Sequence, residues 1–150
     1  MQDAIDLALE NIKNNGGGPF GAVVVRNGEI VGRGANHVTT HNDPTAHAEV
    51  EAIRDACKNL KTFQLDDCEI YASCEPCPMC LGAIYWARLK KLYFASTRED
   101  AARIGFDDSY IYQQLPLSIK ERDLNTEPIM HENGEVVMKA WENDEGKVEY

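Results

Sequence analysis

No stretch of this 150-residue chain reaches the roughly 18 consecutive apolar residues that a membrane-crossing helix needs, so no membrane partner is expected. Basic side chains are scarce. Fifteen Lys and Arg face twenty-five Asp and Glu, for a net charge of −10. Binding a polyanion takes clustered Lys and Arg, so the balance argues against a DNA or RNA partner; its plainer meaning is solubility. The opening residues, Met1-Gln-Asp-Ala-Ile-Asp6, lack the basic region that starts a secretory signal, and a cytoplasmic location is the expectation. Internal repeats and low-complexity tracts are missing too. The five cysteines are an odd number, which suits a disulfide framework poorly and fits a reducing compartment with a metal site. What is left is an ordinary globular share of hydrophobic residues, 43%, in a length that suits one domain with a real core.

The chemistry concentrates in two stretches, His47-Ala-Glu49 and Cys74-Glu-Pro-Cys-Pro-Met-Cys80. Cys77 and Cys80 stand at a C-x-x-C spacing, which lets two thiolates grip one zinc ion, and His47 adds an imidazole nitrogen. Three protein ligands are one short of a closed structural zinc site, and the open position takes a water. Zinc lowers the pKa of such a water from 15.7 to about 7, which yields a nucleophile near neutral pH. Glu49 is placed to take a proton from that water and deliver it to a leaving amine. A C-x-x-C pair can also be a redox pair, but His47 and Glu49 already complete a hydrolytic set. Taken alone, His47 reads as a surface histidine near a helix start; the cysteine pair reverses that reading. Cys57 and Cys68 fall in apolar segments and read as inert core thiols. Cys74 reads as a packed thiol or as support for the zinc loop.

The apolar spacing of Ile5, Ala8, Leu9 and Ile12 predicts a helix over residues 2–14, ended by Gly16-Gly17-Gly18. The triple glycine follows no strand and precedes no Lys-Ser/Thr, so it makes a poor phosphate loop. Phe20–Val25 and Glu29–Gly34 read as strands joined by an Asn27-Gly28 hairpin turn. Asn36, just past the second strand, is either a turn-former or a contact to a substrate. His37 and His41 read as exposed loop histidines. Asp43-Pro44-Thr45 reads as the start of a helix running to Leu60, with Val50, Ile53, Cys57 and Leu60 on its buried face. A strand over Cys68–Ser73 leads to a helix from Pro78 to Arg88, so both zinc-bearing segments open helices, whose N-termini favour thiolates. A strand over Leu92–Ser96, a short helix over Arg98–Ile104, a turn at Gly105–Ser109 and a helical turn over 108–114 follow. Residues 115–133 read as mostly loop, with His131 exposed. Gly134–Asn143 reads as a helix, or Asn133-Gly134 turns a hairpin. This order implies an α/β/α three-layer sandwich around a mixed sheet, its later strands parallel.

The pattern H-x-E … P-C-x-x-C is the signature of the zinc deaminases. Together with Gly17-Gly-Pro-Phe-Gly-Ala22, Asn42-Asp-Pro-Thr-Ala-His-Ala-Glu49, the run from Ser73 to Ala87 and Gly105-Phe-Asp-Asp-Ser109, it makes the chain resemble the cytidine deaminase superfamily, within it the small bacterial guanine deaminases. The likeness runs from about Gly17 to Gln114 and returns at Tyr150. It implies a zinc cofactor and hydrolytic deamination of a nucleobase, guanine to xanthine and ammonia. Phe20 and Trp86 would wall the purine, the alternative for both being core packing. Asn36 and Asp108 would pair with its edge, the alternative for Asp108 being turn capping. A backbone donor near Glu75 or Ala48 would steady the intermediate. The resemblance also brings a tyrosine-ended tail that closes over the site. Residues 115–150 then form a C-terminal extension of a single deaminase domain, either a lid or a swapped segment that builds a homodimer; a frayed terminus is the plain alternative for Tyr150. A tRNA adenosine deaminase, a cytosine deaminase and a deaminase-fold zinc protein without catalysis are the other readings.

Overall fold

Glycines decide how closely the helices approach the sheet. A computed structural model describes residues 1–150. The chain begins with α1 (Gln2–Lys13), followed by β1 (Gly21–Arg26) and β2 (Glu29–Ala35). These two strands form an antiparallel hairpin whose turn residues Asn27 and Gly28 have φ of 52° and 83°, the left-handed pair that a tight hairpin requires. A short α2 (Val38–His41) precedes α3 (Ala48–Leu60), β3 (Cys68–Cys74), α4 (Pro78–Trp86), β4 (Lys91–Ser96) and α5 (Arg98–Arg103). The sheet order is β2-β1-β3-β4. β1 pairs antiparallel with β3, and β3 pairs parallel with β4, so the sheet is mixed.

Along β1, side chains alternate between two helix layers, as strand geometry requires. Ala22 and Val24 pack with Ala48, Ala52 and Ala56 of α3 and Ile84 of α4. Gly21 turns to the other face, where a Cβ would land on the Ala4 carbonyl of α1. On β2, Gly32 and Gly34 sit directly under α3; a Cβ at Gly34 would meet the Ala48 carbonyl and the Ala52 nitrogen. This close seating corrects two expected helix faces. α3 buries Ala48, Glu49, Ala52 and Ala56, while Val50, Ile53, Cys57 and Leu60 are half-buried on its flanks. α1 buries Ala4, Ala8 and Asn11 and leaves Leu9 and Ile12 exposed. Where a helix backbone rests on glycine, small residues take the centre and larger ones are displaced to the rim.

Three further expectations change. Asp43 does not cap α3: its Oδ1 accepts the Thr45 N–H at 2.8 Å and the Thr45 hydroxyl at 2.7 Å, a local turn that delays the helix to Ala48. His37 is half-buried at the N-cap of α2, and not an exposed loop residue. Asn133 and Gly134 lie inside the first turn of α7 (His131–Glu142), so they turn no hairpin.

Residues Met1–Ser109 and Tyr110–Tyr150 form two compact units. The second holds most of α6 (Ser109–Gln114), a 3-10 turn at Ile119–Glu121 and α7. Within it, Asp123 accepts from Gln114 Nε2 at 3.1 Å and donates its N–H to Gln114 Oε1 at 2.8 Å. No residue of this unit is buried, and Leu124, Ile129, Met130, Val136, Val137 and Met138 are all exposed.

Candidate active site

Two helix starts converge. His47 is the N-cap residue of α3 and Cys77 that of α4, with Pro78 in the first turn and Cys80 one turn in; neither cap position has a side-chain capping bond. Residue types that cap poorly stand here because they have other work. His47 Nδ1 lies 3.5 Å from Cys77 Sγ and 3.4 Å from Cys80 Sγ. A tetrahedral zinc with Zn–S of about 2.3 Å and Zn–N of about 2.0–2.1 Å separates nitrogen from sulfur by about 3.5 Å, so His47 Nδ1 already stands from each sulfur at the spacing the ion demands. The donor set, two sulfurs and one imidazole, is that of a catalytic zinc site with one open position.

Cys77 is drawn down to about 4, chiefly by the hydrogen bond from Cys80, with His47 adding to it. The Cys80 thiol is pushed up by that bond and by burial. His47 is raised, mainly by its bond to Cys77. Glu49 stands outside the ligand set although it is only 7% exposed, and burial raises its carboxyl. A buried carboxylic acid beside a metal, not ligating it, is suited to passing protons.

The predicted substrate contacts fall out unevenly. Asn36 is 5% exposed, and its Oδ1 accepts from the backbone N–H of Gly18 at 3.2 Å and of Val38 at 3.3 Å. The oxygen is thereby engaged and the amide orientation set, leaving Nδ2 as the group to offer a ligand. A turn role for Asn36 is thus accompanied by a fixed donor. The triple glycine packs against it: Gly17, at φ +146°, has no room for a Cβ beside the Asn36 carbonyl. Phe20 is half-buried and meets Phe106 edge-on, ring centroids 4.9 Å apart. For Asp108 the capping alternative fails, because its neighbour Asp107 takes the Ser109 N–H at 2.9 Å. Asp108 is instead raised by burial and by the nearby Cys77 thiolate. Trp86 is 68% exposed, which excludes core packing. The Glu75 N–H donates to the Ser96 carbonyl at 2.8 Å, so its free backbone group is an acceptor. Ala48, as the first residue of α3, has an N–H with no partner inside the helix. Tyr150 ends the second unit, exposed. Cys74, buried, donates its thiol to the Thr97 carbonyl at 3.4 Å, as a packed thiol would; Cys68 is buried as well.

Residues 1–96 match the model of the cytidine and deoxycytidylate deaminase zinc-binding region. The chain belongs to this deaminase family. Over 150 residues, all of the chain and 96% of the relative, it is 51% identical to guanine deaminase of Bacillus subtilis. The solved guanine deaminase from that organism superimposes with a TM-score of 0.96 at 52% identity, covering 99% of this chain and 95% of that one. The guanine deaminase from Nitrosomonas europaea superimposes at 0.68, with 29% identity over 91% of this chain and 70% of that one. A tRNA-specific adenosine deaminase of Buchnera aphidicola is 40% identical over 94 residues, 63% of this chain and 62% of the relative.

In this deaminase two residues escape sequence reasoning. Asn11 of α1, 6% exposed, donates from Nδ2 to the carbonyls of Gly18 at 2.9 Å and Asn36 at 2.8 Å, bracketing the loop that aims Asn36. Its position four residues from Leu7 in an amphipathic helix gave no sign of this. Phe106 is the second; an aromatic inside a glycine-led turn is the only hint of it in the sequence.

Proposed function

We propose that the protein is a zinc-dependent aminohydrolase that converts guanine and water to xanthine and ammonia. The observation that carries this reading is the 51% identity to a guanine deaminase through all 150 residues, second unit included, where the tRNA-specific relative matches over 94. Zinc would be held by His47, Cys77 and Cys80 and would supply Lewis-acid activation of a water near neutral pH. Glu49 is placed to carry a proton from the attacking water to the amine on C2 of the base, which leaves as ammonia. The Ala48 N–H faces negative charge that develops beside the start of α3, and the Glu75 carbonyl accepts from the departing amine. Asn36 Nδ2 donates to an acceptor on the base, Asp108 accepts from a ring N–H, and Phe20 and Trp86 flank the purine plane. Guanine presents both donors and acceptors, so an oriented amide and a carboxylate are suitable readers.

The protein works as a homodimer in the cytoplasm. Its second unit buries none of its own residues, and edge strand β4 leaves Phe94 exposed; apolar surface on this scale calls for a partner. A second copy of the chain supplies one, and a tail exchanged between copies brings Tyr150 over a neighbour's site. Ammonia release from guanine, cytosine, cytidine and adenosine-bearing RNA by the zinc-loaded protein tests the substrate. Guanine should lead clearly, and equal turnover of cytosine would overturn the reading. Glu49→Gln should keep about one zinc per chain and lose activity by at least about 10²–10⁴-fold; turnover within a few-fold of the parent would remove Glu49 from its role.

A further inference from the structure

His37 and His41 take no part in the zinc centre, yet they are four residues apart across α2, a spacing that puts two side chains on one face of a helical turn. Their rings stack with centroids 4.7 Å apart and planes 27° apart. Glu51, in the first turn of α3, brings a carboxylate to the same place. One ligand atom from each of the three lies within 4.8 Å of the other two. His37 Nδ1 is buried without a hydrogen-bond partner, an arrangement folded proteins seldom tolerate unless something else supplies the partner. A groove of about 390 Å³ lined by Glu10, Asn11, Arg33, His37 and Glu51 gives an ion a way in.

We infer that His37, His41 and Glu51 form a second metal site, weaker than the catalytic one, for a divalent transition cation such as zinc. Two imidazoles and a carboxylate suit Zn²⁺, Ni²⁺ or Co²⁺ far better than Ca²⁺ or Mg²⁺. Rotation of the imidazoles about their broad terminal torsion turns stacked rings so that one nitrogen of each faces the carboxylate. The ion displaces Arg54, whose Nη1 lies 2.8 Å from Glu51 Oε1; the arginine side of that pair is more than half exposed, which screens it. Without a thiolate, and with the remaining positions left to water, this site fills only after His47, Cys77 and Cys80 are loaded. When filled, it ties α2 to α3. The Val38 N–H at the start of α2 holds Asn36 Oδ1, so the ion also steadies that turn.

The test counts metal and does not depend on which base is deaminated. Wild-type protein, Glu51→Gln and His41→Ala are dialysed to equilibrium against a micromolar series of free Zn²⁺, and bound zinc per chain is measured by atomic emission. The wild type should rise from one zinc to two. Both variants should stop at one and keep guanine kcat, because neither residue belongs to the catalytic centre. Circular dichroism melts verify that each variant is folded. A wild type that stays at one zinc across the series overturns the site, and so does a second zinc that persists in both variants.

Discussion

Asn11, 25 positions away in the chain, holds the Asn36 carbonyl and the glycine loop at once, and so fixes the backbone from which the Asn36 amide projects. Asn11→Ala would take this donor from the buried Asn36 carbonyl and leave the Gly18 carbonyl with only the Phe20 N–H, at a cost of about 1–3 kcal/mol. Well below the melting temperature it should raise KM for guanine several-fold while kcat and zinc content change little; steady-state kinetics with metal analysis checks this, and an unchanged KM would make Asn11 a purely structural bracket. The cysteines allow a second prediction at this scale. In zinc-free protein Cys77, near 4, is a thiolate throughout the range above that value and is protonated only below it. Cys57 is raised by burial, and Cys68 and Cys74 sit near 11, also through burial, so all three remain thiols. Iodoacetamide at pH 6 should therefore alkylate Cys77 well ahead of those three, and bound zinc should block it. Peptide mass spectrometry reads the order; uniform labelling would contradict it.

Among the elements, the seating of α3 on β2 determines where His47 and Glu49 stand. Gly34→Ala drives a methyl into the backbone of α3, which must lift the helix and carry the zinc ligand and the proton carrier with it. The expected cost is at or above the upper end of the roughly 1–3 kcal/mol typical of overpacking, with zinc loss alongside, as a thermal melt and a metal assay would show. This seating also marks where sequence reading stops. The strands, the hairpin turn and the helix opened by Pro78 were legible because period, Asn27-Gly28 and Pro78 act within a few residues; the helix ending at Leu60 was legible in its body but not in its start, which the Asp43–Thr45 turn delays to Ala48. His47, Cys77 and Cys80 were legible because metal chemistry restricts both type and spacing. The buried alanine row was not, since it depends on glycines on another strand that turn a weakly apolar face into the central one. Asn11 and Phe106 were hidden for the same reason: their partners lie far away in the chain. Asp108 could not be told from Asp107 until the Ser109 N–H showed which of the two caps the turn.

For the whole molecule, the second unit is the deciding part, because its apolar side chains are not buried within it. Deleting residues 146–150 should lower guanine turnover without altering zinc content, and full activity in the truncated chain would end the role of Tyr150. If the tail serves its neighbour, mixing Glu49→Gln chains with truncated chains should restore activity in one of the two sites of each verified mixed dimer; no recovery would place the tail over its own chain. The unassisted starts of α3 and α4 have a consequence beyond catalysis. With His47 and Cys77 in the two cap positions and no side-chain cap at either, a bound metal would tie the two first turns together, so a chain that loses zinc is expected to fray there as well as to lose activity. Local opening of that kind is what proteases act on. The lifetime of the enzyme in a cell is then tied to the zinc supply: scarcity thins the population by destroying empty chains, and the molecules that survive are the ones able to work.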